Sequence, residues 1–355
     1  MPATIRDVAR ACGVHVSTVS RTFSAPTQVN PATRDRVLAV AEQLGYRPNK
    51  AARALITGRT TNLGLIVADI TNPYFPPMIK AAQNQARRHD HHVFVADTDE
   101  DAAVEEELVR TLAAQVDGIL LCSPRMATES LESLAHEVLI VVVNRVVDGI
   151  PAVLMDLAAG ARDAVDHLAD LGHEHLAYLG GPNVSWTDNE LSRAAVETAR
   201  QRGVRLTQIG PCTPNHAGGQ DAAPAVLASG ATGVFAFNDS LAIGLVETLR
   251  ASGVDVPGQV SVIGVDDIPQ AEIMRLTTVA TPTDEAGRAA VEMLLAHEPP
   301  GRRGEHVPSA EPAERQTLPT HLVVRASTGP APKRSRGRAH DRNARAADNA
   351  AAVVE

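Results

Sequence analysis

Residues 4–24 read TIRDVARACGVHVSTVSRTFS, two short amphipathic stretches on either side of one glycine. Thr4 is placed to cap a first helix whose apolar residues, Ile5, Val8, Ala9 and Cys12, recur at steps of three and four and so form a single stripe. Gly13 ends that helix. In a second short helix Val16, Val19, Ser20 and Phe23 can face inward or sit close to the core, which leaves Ser17, Thr18, Arg21 and Thr22 for a groove. A third helix starts at Asn30-Pro31, an N-cap followed by proline at the first helical position. It carries Val37, Leu38, Val40, Ala41 and Leu44 on one face and stops at Gly45. Three such helices make a miniature core at the small end of what folds alone. Two helices about a tight glycine turn, backed by a third, offer the second helix to a DNA major groove.

Charge separates this segment from the rest of the 355-residue chain. Through residue 60 there are nine basic side chains against three acidic, whereas residues 61–328 carry 18 basic against 36 acidic. The chain is acidic overall, with a formal net charge of −9, yet it has a positive end. That split is expected when one small domain neutralises phosphates and the remainder does something else.

The segment TIRDVARACGVHVSTVSRTFS, with TRDRVLAVAEQLGYRPNKAARAL after it, resembles the lactose-repressor/galactose-repressor family of bacterial transcription regulators. The likeness extends over nearly the whole chain. It implies that the second helix enters the major groove with Val16, Ser17 and Arg21 at base-reading positions. It also implies that residues 47–60 form a hinge helix on DNA whose Leu55 wedges into the minor groove. The DNA-contacting set is then Thr4, His15, Val16, Ser17, Thr18, Arg21, Asn49, Lys50, Ala52 and Leu55. An arginine can fork onto guanine O6 and N7, and an apolar wedge unstacks a base step and kinks the duplex. Ala51 and Leu55, four apart, share a helix face. His15 departs from the family pattern, where serine is usual; imidazole caps less well, or donates to a phosphate, and both readings stand.

Beyond residue 60 the chain has an α/β pattern. Apolar runs of strand length occur at Leu63–Ile70, His92–Ala96, Gly118–Cys122, Val138–Asn144, Val153–Asp156, Leu176–Gly180, Gly233–Phe237 and Val260–Val265, separated by stretches with helical spacing. Continuous apolar strands alternating with helices call for parallel sheets covered on both faces. The expected fold is therefore a small all-α helix-turn-helix domain joined to an α/β two-lobed domain of parallel sheets flanked by helices. The resemblance makes that second domain periplasmic-binding-protein-like, with the chain crossing between lobes near Asp156–Leu157, Thr281–Pro282 and Leu318–Pro319. The organisation expected is a DNA-binding domain at 1–46, a hinge at 47–60 and an effector-binding and dimerisation domain at 61–328. Within it, lobe 1 holds 61–156 and 283–317, and lobe 2 holds 157–281 and 318–328. A disordered basic, alanine-rich tail at 329–355 and a flexible insertion at 299–316 complete it.

Ligands of parallel α/β sheets sit outside the carboxyl ends of the strands, so the loops after the strands should line a cleft. Those loops supply Asn72, Tyr74 and Phe75, then Asn144 and Arg145, then Asn238 and Asp266, groups that can hydrogen-bond adjacent hydroxyls while a ring covers an apolar face. Asp239 and Asp267 are either further ligands or braces of strand-to-helix turns. In GGPNVSWTDNELSR, Leu191 stands where the family often has an arginine that clamps the effector, and Trp186, the chain's single tryptophan, is expected to supply apolar contact instead. Ala280 and Thr281 also replace the family's commoner pair.

No framework of cysteines or carboxylates accompanies the histidines of RRHDHH or HLADLGHEH, so solvated helix ends are expected there rather than a metal. Cys12, Cys122 and Cys212 are scattered, which suits reduced thiols in the cytoplasm. No nucleophile elbow, Walker loop or dinucleotide fingerprint is present, and neither enzyme activity nor a cofactor is expected. A two-lobed solute-binding protein of a transport system is the alternative, disfavoured by the helix-turn-helix and by the lack of an export signal or membrane-length apolar run. The partners expected are a roughly palindromic double-stranded operator, a sugar-like effector and a second copy of the chain.

Overall fold

The computed structural model describes residues 3–46, 59–297 and 313–333, and the chain divides into two compact units. The first comprises residues 1–62 with 115–117. Its helices are α1 (Ile5–Cys12), α2 (Val16–Ser24) and α3 (Pro31–Gln43), with a 3-10 turn at Pro26–Gln28. Asp7 accepts hydrogen bonds from the Thr4 N–H at 2.9 Å and the Thr4 hydroxyl at 2.7 Å, closing the start of α1. Gly13 ends it at φ 63°, a left-handed conformation that costs glycine little. Asn30 caps α3 by accepting from Ala32 N–H at 3.0 Å.

Val8, Ala9, Cys12, Val19, Val37 and Ala41 form the core of this unit, with Ile5, Val16 and Phe23 half-buried against it. Four positions differ from the sequence expectation, the first being Ser20, which is exposed rather than close to the core. Thr22 is buried rather than offered to a groove, because its hydroxyl donates to the Thr18 carbonyl at 2.9 Å and needs no outside partner. Leu38 and Leu44 are each 42% exposed. Val37 and Ala41 define the buried line of α3, and Leu38 lies one residue, about 100°, round from it. Leu44 is the C-cap, past the last helical turn.

The second unit alternates strands and helices. Its first run is β1 (Asn62–Val67), α4 (Phe75–Arg88), β2 (His92–Asp97), α5 (Ala102–Ala113), β3 (Gly118–Cys122), α6 (Thr128–Ala135), β4 (Ile140–Val143) and β5 (Ala152–Met155). A second run follows with α7 (Leu157–Asp170), β6 (His175–Leu179), α8 (Trp186–Arg202), β7 (Arg205–Ile209), α9 (His216–Ser229), β8 (Gly233–Ala236), α10 (Asp239–Ala251), β9 (Ser261–Asp266), α11 (Pro269–Ile273) and β10 (Thr277–Ala280). The chain then adds α12 (Thr283–Ala296), β11 (Arg315–Leu318) and β12 (His321–Val323).

These strands make two six-stranded sheets with orders β2-β1-β3-β4-β5-β11 and β7-β6-β8-β9-β10-β12. The two orders match position for position, so each lobe repeats one doubly wound plan. Pairing is parallel from β1 through β3, β4 and β5 to β11 and from β7 through β6, β8 and β9 to β10, as in Leu65 beside Leu120 and Val234 beside Val262, whereas β12 runs antiparallel to β10. The runs GILLC, IVVV and GVFA are wholly buried, as strands covered on both faces must be, whereas the edge strand β2 alternates and leaves Phe94 44% exposed. The chain passes between sheets after Met155, after Ala280 and between Leu318 and His321, and α12 packs against α4 and the first sheet.

Two stretches depart from the disorder expected of them. Residues 315–316, at the end of the supposed insertion, begin β11, which pairs with β5 from Arg315 beside Ala152 to Leu318 beside Met155. Backbone ladder bonds, not side-chain hydrophobicity, fix them. Residues 329–331 are also tied down: Gly329 N–H donates to Ser261 Oγ at 3.1 Å and Ala331 N–H to the Leu171 carbonyl at 2.9 Å. Residues 299–312 and the tail from 334 lie outside the described residues, as does most of the hinge, 47–58. No helix among the described residues is long and apolar enough to cross a membrane.

Candidate functional site

The outward face of α2 is organised by its cap. His15 Nδ1 accepts from the Ser17 N–H at 3.2 Å and lies 2.8 Å from Ser17 Oγ, while Arg21 Nη2 donates to that hydroxyl at 3.4 Å. Imidazole therefore does cap this helix. Arg21 is exposed and forms no ion pair among the described residues, so its charge is available to a phosphate or a guanine edge. Val16 and Thr18 are half-buried, Val16 against the helical core. The Thr4 hydroxyl is engaged with Asp7, and those bonds hold the Asp7 carboxyl below its usual range. Asn49, Lys50, Ala52 and Leu55 lie outside the described residues.

In the second unit a cleft enclosing about 490 Å³ free of protein atoms, its open mouth included, lies at the carboxyl ends of both sheets. The first sheet contributes Asn72, Tyr74 and Phe75 after β1, Glu100 after β2, Ser123 and Arg125 after β3, Asn144 after β4, and Met155 at the end of β5. The second contributes Thr187 and Leu191 from α8, Pro214 after β7, Phe237 and Asn238 after β8, and Asp266 ending β9. Thr281 after β10 and Leu157 opening α7 close it at the crossings. A side chain on Gly181 would come within 2.7 Å of the Phe237 ring, so the second lobe's loop after β6 needs a glycine for that ring to lie where it does.

Four of these lining residues, Glu100 (φ 63°), Ser123 (56°), Asn144 (56°) and Asp266 (114°), have left-handed or strained backbones. Such conformations collect at functional sites, where the surroundings over-determine them. Asn144 Nδ2 donates to the Tyr74 hydroxyl at 2.9 Å and its Oδ1 accepts from Met155 N–H at 3.0 Å, which locks the first wall. Asn238 caps α10 through Leu241 N–H at 2.8 Å and donates to the Pro214 carbonyl at 2.9 Å. Asn72 Oδ1 accepts from Tyr74 N–H at 3.1 Å.

The carboxylates differ in role. Asp239 is fully buried and accepts from the Thr278 hydroxyl at 2.6 Å and Ile268 N–H at 3.0 Å; burial pushes its carboxyl up to about 7. Asp267 pairs with Arg325 at 2.7 Å. Both brace the turns that carry Asp266. Asp266 itself has no hydrogen-bond donor on its carboxylate among the described residues, and burial, with the charge of Asp239 behind it, raises its carboxyl well above the usual value. Burial likewise raises Tyr74, with Asp266 adding to the effect.

Two expected ligands stand elsewhere. Arg145 donates to the carbonyls of Pro124 and Met126 at 3.2 and 2.6 Å and to Thr128 Oγ1 at 3.0 Å, so it braces the loop after β3 instead of lining the cleft. It follows Asn144, whose side chain takes the cleft, while the three acceptors of the loop after β3 draw the guanidinium away from it. Trp186 is half-buried at the first position of α8 and does not line the cavity. Thr187 and Leu191, four apart on one face, do. The sequence reading passed over Glu100, Arg125 and Phe237, although each follows a strand end as the predicted residues do. His173, from one of the histidine clusters, is buried with Nδ1 2.9 Å from Thr232 Oγ1 and Nε2 3.1 Å from Ser261 Oγ, a structural setting rather than a solvated helix end.

Residues 4–49 match the profile of bacterial regulatory proteins of the lacI family, and residues 165–328 match a periplasmic binding protein-like domain. The HTH-type transcriptional regulator GalS of Salmonella typhimurium is 33% identical over 302 residues, covering 82% of this chain and 89% of that protein. The crystal structure of the lac repressor dimer bound to operator and the anti-inducer ONPF shares the fold, with a TM-score of 0.79 over 93% of this chain and 100% of that one at 23% identity. A LacI family regulator from Enterococcus faecium with bound ribose aligns at a TM-score of 0.65 and 27% identity, over 76% of this chain and 99% of that one.

Proposed function

Because this chain belongs to the lacI family of bacterial regulatory proteins, we propose that it is a homodimeric repressor whose hold on a roughly palindromic operator is set by a sugar-like effector in the interlobe cleft. It is a DNA-binding transcriptional regulator, as its relatives are. In this reading the domains divide at 1–46, 47–60 and 61–328, and α2 of each copy enters a major groove one helical turn from its partner. Arg21 forks onto a base edge and Ser17, oriented by His15 and Arg21, reaches a base or phosphate. Asn49, Lys50, Ala52 and Leu55 act at the centre of the site, where an apolar wedge bends the duplex.

The effector is held by Asp266, Asn238, Asn72 and Asn144, with Phe75 and Phe237 against its apolar face. The ribose found in the Enterococcus faecium relative supports a polyhydroxy ligand. Occupancy changes lobe closure, and a coupling of about 1–3 kcal/mol is enough to move operator occupancy severalfold to a hundredfold. The protein thus works on the chromosome, inside the cell. One observation carries the reading: a cationic helix-turn-helix and a cleft built from the carboxyl ends of two matched sheets occur in one chain. Mapping where the protein sits on its own genome tests it. Discrete sites sharing a two-fold symmetric motif are expected, and uniform recovery of DNA would contradict it.

A further inference from the structure

We propose that Arg125 and Glu100 form the specificity-determining subsite of the cleft, selecting an effector whose adjoining end carries uncharged hydroxyl groups and rejecting matched carboxylates and phosphates. This rests on the cleft being the effector site. Three observations carry it.

The loop bearing Arg125 is clamped from two sides, by the buried Glu105 and the half-buried Arg145. Glu105 on α5, 2% exposed, accepts from the backbone N–H of Arg125 and of Met126, each at 2.8 Å. Arg145 holds the same loop by its carbonyls. Burial raises the Glu105 carboxyl above its usual value despite those two amides. Burying charge is costly unless a defined arrangement is secured, and such support is what a preorganised binding group requires.

What is secured is the guanidinium. Arg125 is 7% exposed and lines the cleft; its Nε and Nη2 donate to Glu100 at 2.5 and 3.1 Å. Its Nη1 donates to the Ser123 carbonyl at 3.0 Å and to Ser185 Oγ, the cap of α8 in the other lobe, at 3.4 Å. Four of the five donors of an arginine are thereby engaged, leaving one N–H beside the half-buried Glu100 oxygens. That juxtaposition of a donor and an acceptor suits a hydroxyl pair.

Charge balance decides against an anion. Glu100 already neutralises Arg125, and the second lobe presents Leu191 where a clamping arginine was expected, so the described lining residues offer an anion no unpaired cation. An incoming carboxylate would meet an occupied fork and the like charge of Glu100 beside it.

The test is thermal stabilisation of the full-length protein by a matched panel: glucose, galactose, ribose, xylose and cellobiose against the corresponding aldonic or uronic acids and sugar phosphates. Wild type is expected to bind at least one neutral sugar, and its acid and phosphate about tenfold or more weakly. Glu100→Gln frees the guanidinium, so the acid-to-neutral preference should move by about tenfold or more toward the acid. Arg125→Gln should weaken the neutral sugar. The proposal is overturned if wild type binds an acid or phosphate as well as its neutral counterpart, if no neutral sugar stabilises it, or if Glu100→Gln folds and leaves the preference unchanged. Should Glu100→Gln not fold, the wild-type panel alone decides. Operator binding without sugar, measured in parallel, separates failure of this subsite from failure of the regulator reading.

Discussion

Asp239 should make the two-lobed unit less stable as pH rises, and Asp239→Asn should remove that dependence. The carboxyl is buried between α10, the turn before α11 and β10, and is pushed from 3.8 up to about 7, first by desolvation. A group whose folded value exceeds its unfolded value contributes stability in full below the unfolded value and loses it as pH climbs toward the folded one. The window is therefore pH 4 to 7. At 1.36 kcal/mol per unit, a rise of about three units amounts to roughly 4 kcal/mol lost by pH 8. Asparagine can keep both contacts, accepting from Ile268 N–H and donating to Thr278 Oγ1, at about 1–2 kcal/mol less than a charged acceptor gives. The net gain at pH 8 is then roughly 2–3 kcal/mol, or about 5–10 °C in melting temperature for a unit of this size. At pH 5 the two proteins should melt within a few degrees of each other. Melting followed by circular dichroism from pH 5 to 8.5 measures this. A variant that melts below wild type by the same margin at every pH would refute the argument, because the lost bonds alone would then explain it.

Arg21→Ala should weaken specific operator binding by about 1–3 kcal/mol, roughly fivefold to over a hundredfold, without changing the melting of the two-lobed unit, as fluorescence anisotropy and calorimetry would register. Operator affinity should fall linearly on a log–log plot against salt, with a slope near −0.9 per phosphate contact; a flat titration would count against phosphate anchoring by the basic end. Asp266→Ala should abolish the response to effector while preserving operator binding, and a normal response would remove Asp266 from the site. Leu55→Ala should reduce specific binding and leave both lobes folded, an unchanged footprint being the contrary result.

The fold was legible where a buried strand is apolar throughout; β10, TTVA, is wholly buried too but was missed, because Thr277 and Thr278 read as polar while their hydroxyls find partners inside. GILLC, IVVV and GVFA could be read because a strand covered on both faces must be apolar throughout. RLTQI, RQTL and HLV were not, since these short outer strands are fixed by ladder bonds to a neighbour and carry mixed side chains. At the cleft, position after a strand end was readable and direction was not. Asn144 and Arg145 are consecutive, yet one lines the cavity and the other braces a loop, a choice made by the carbonyls of Pro124 and Met126, 21 and 19 residues earlier. Trp186 drew attention as the lone tryptophan, whereas the helix turns Thr187 and Leu191 to the cavity. Arg125 is framed by Glu100, Glu105 and Ser185, contacts that no local pattern announces.

The central claim is that cleft occupancy governs the grip on DNA. It is tested most directly by measuring operator affinity of the full-length protein with and without a compound that stabilises the two-lobed unit. The account predicts a change of severalfold to a hundredfold in wild type that vanishes in Asp266→Ala. A compound that binds the cleft and stabilises the protein, yet leaves operator affinity unchanged in wild type, would contradict it.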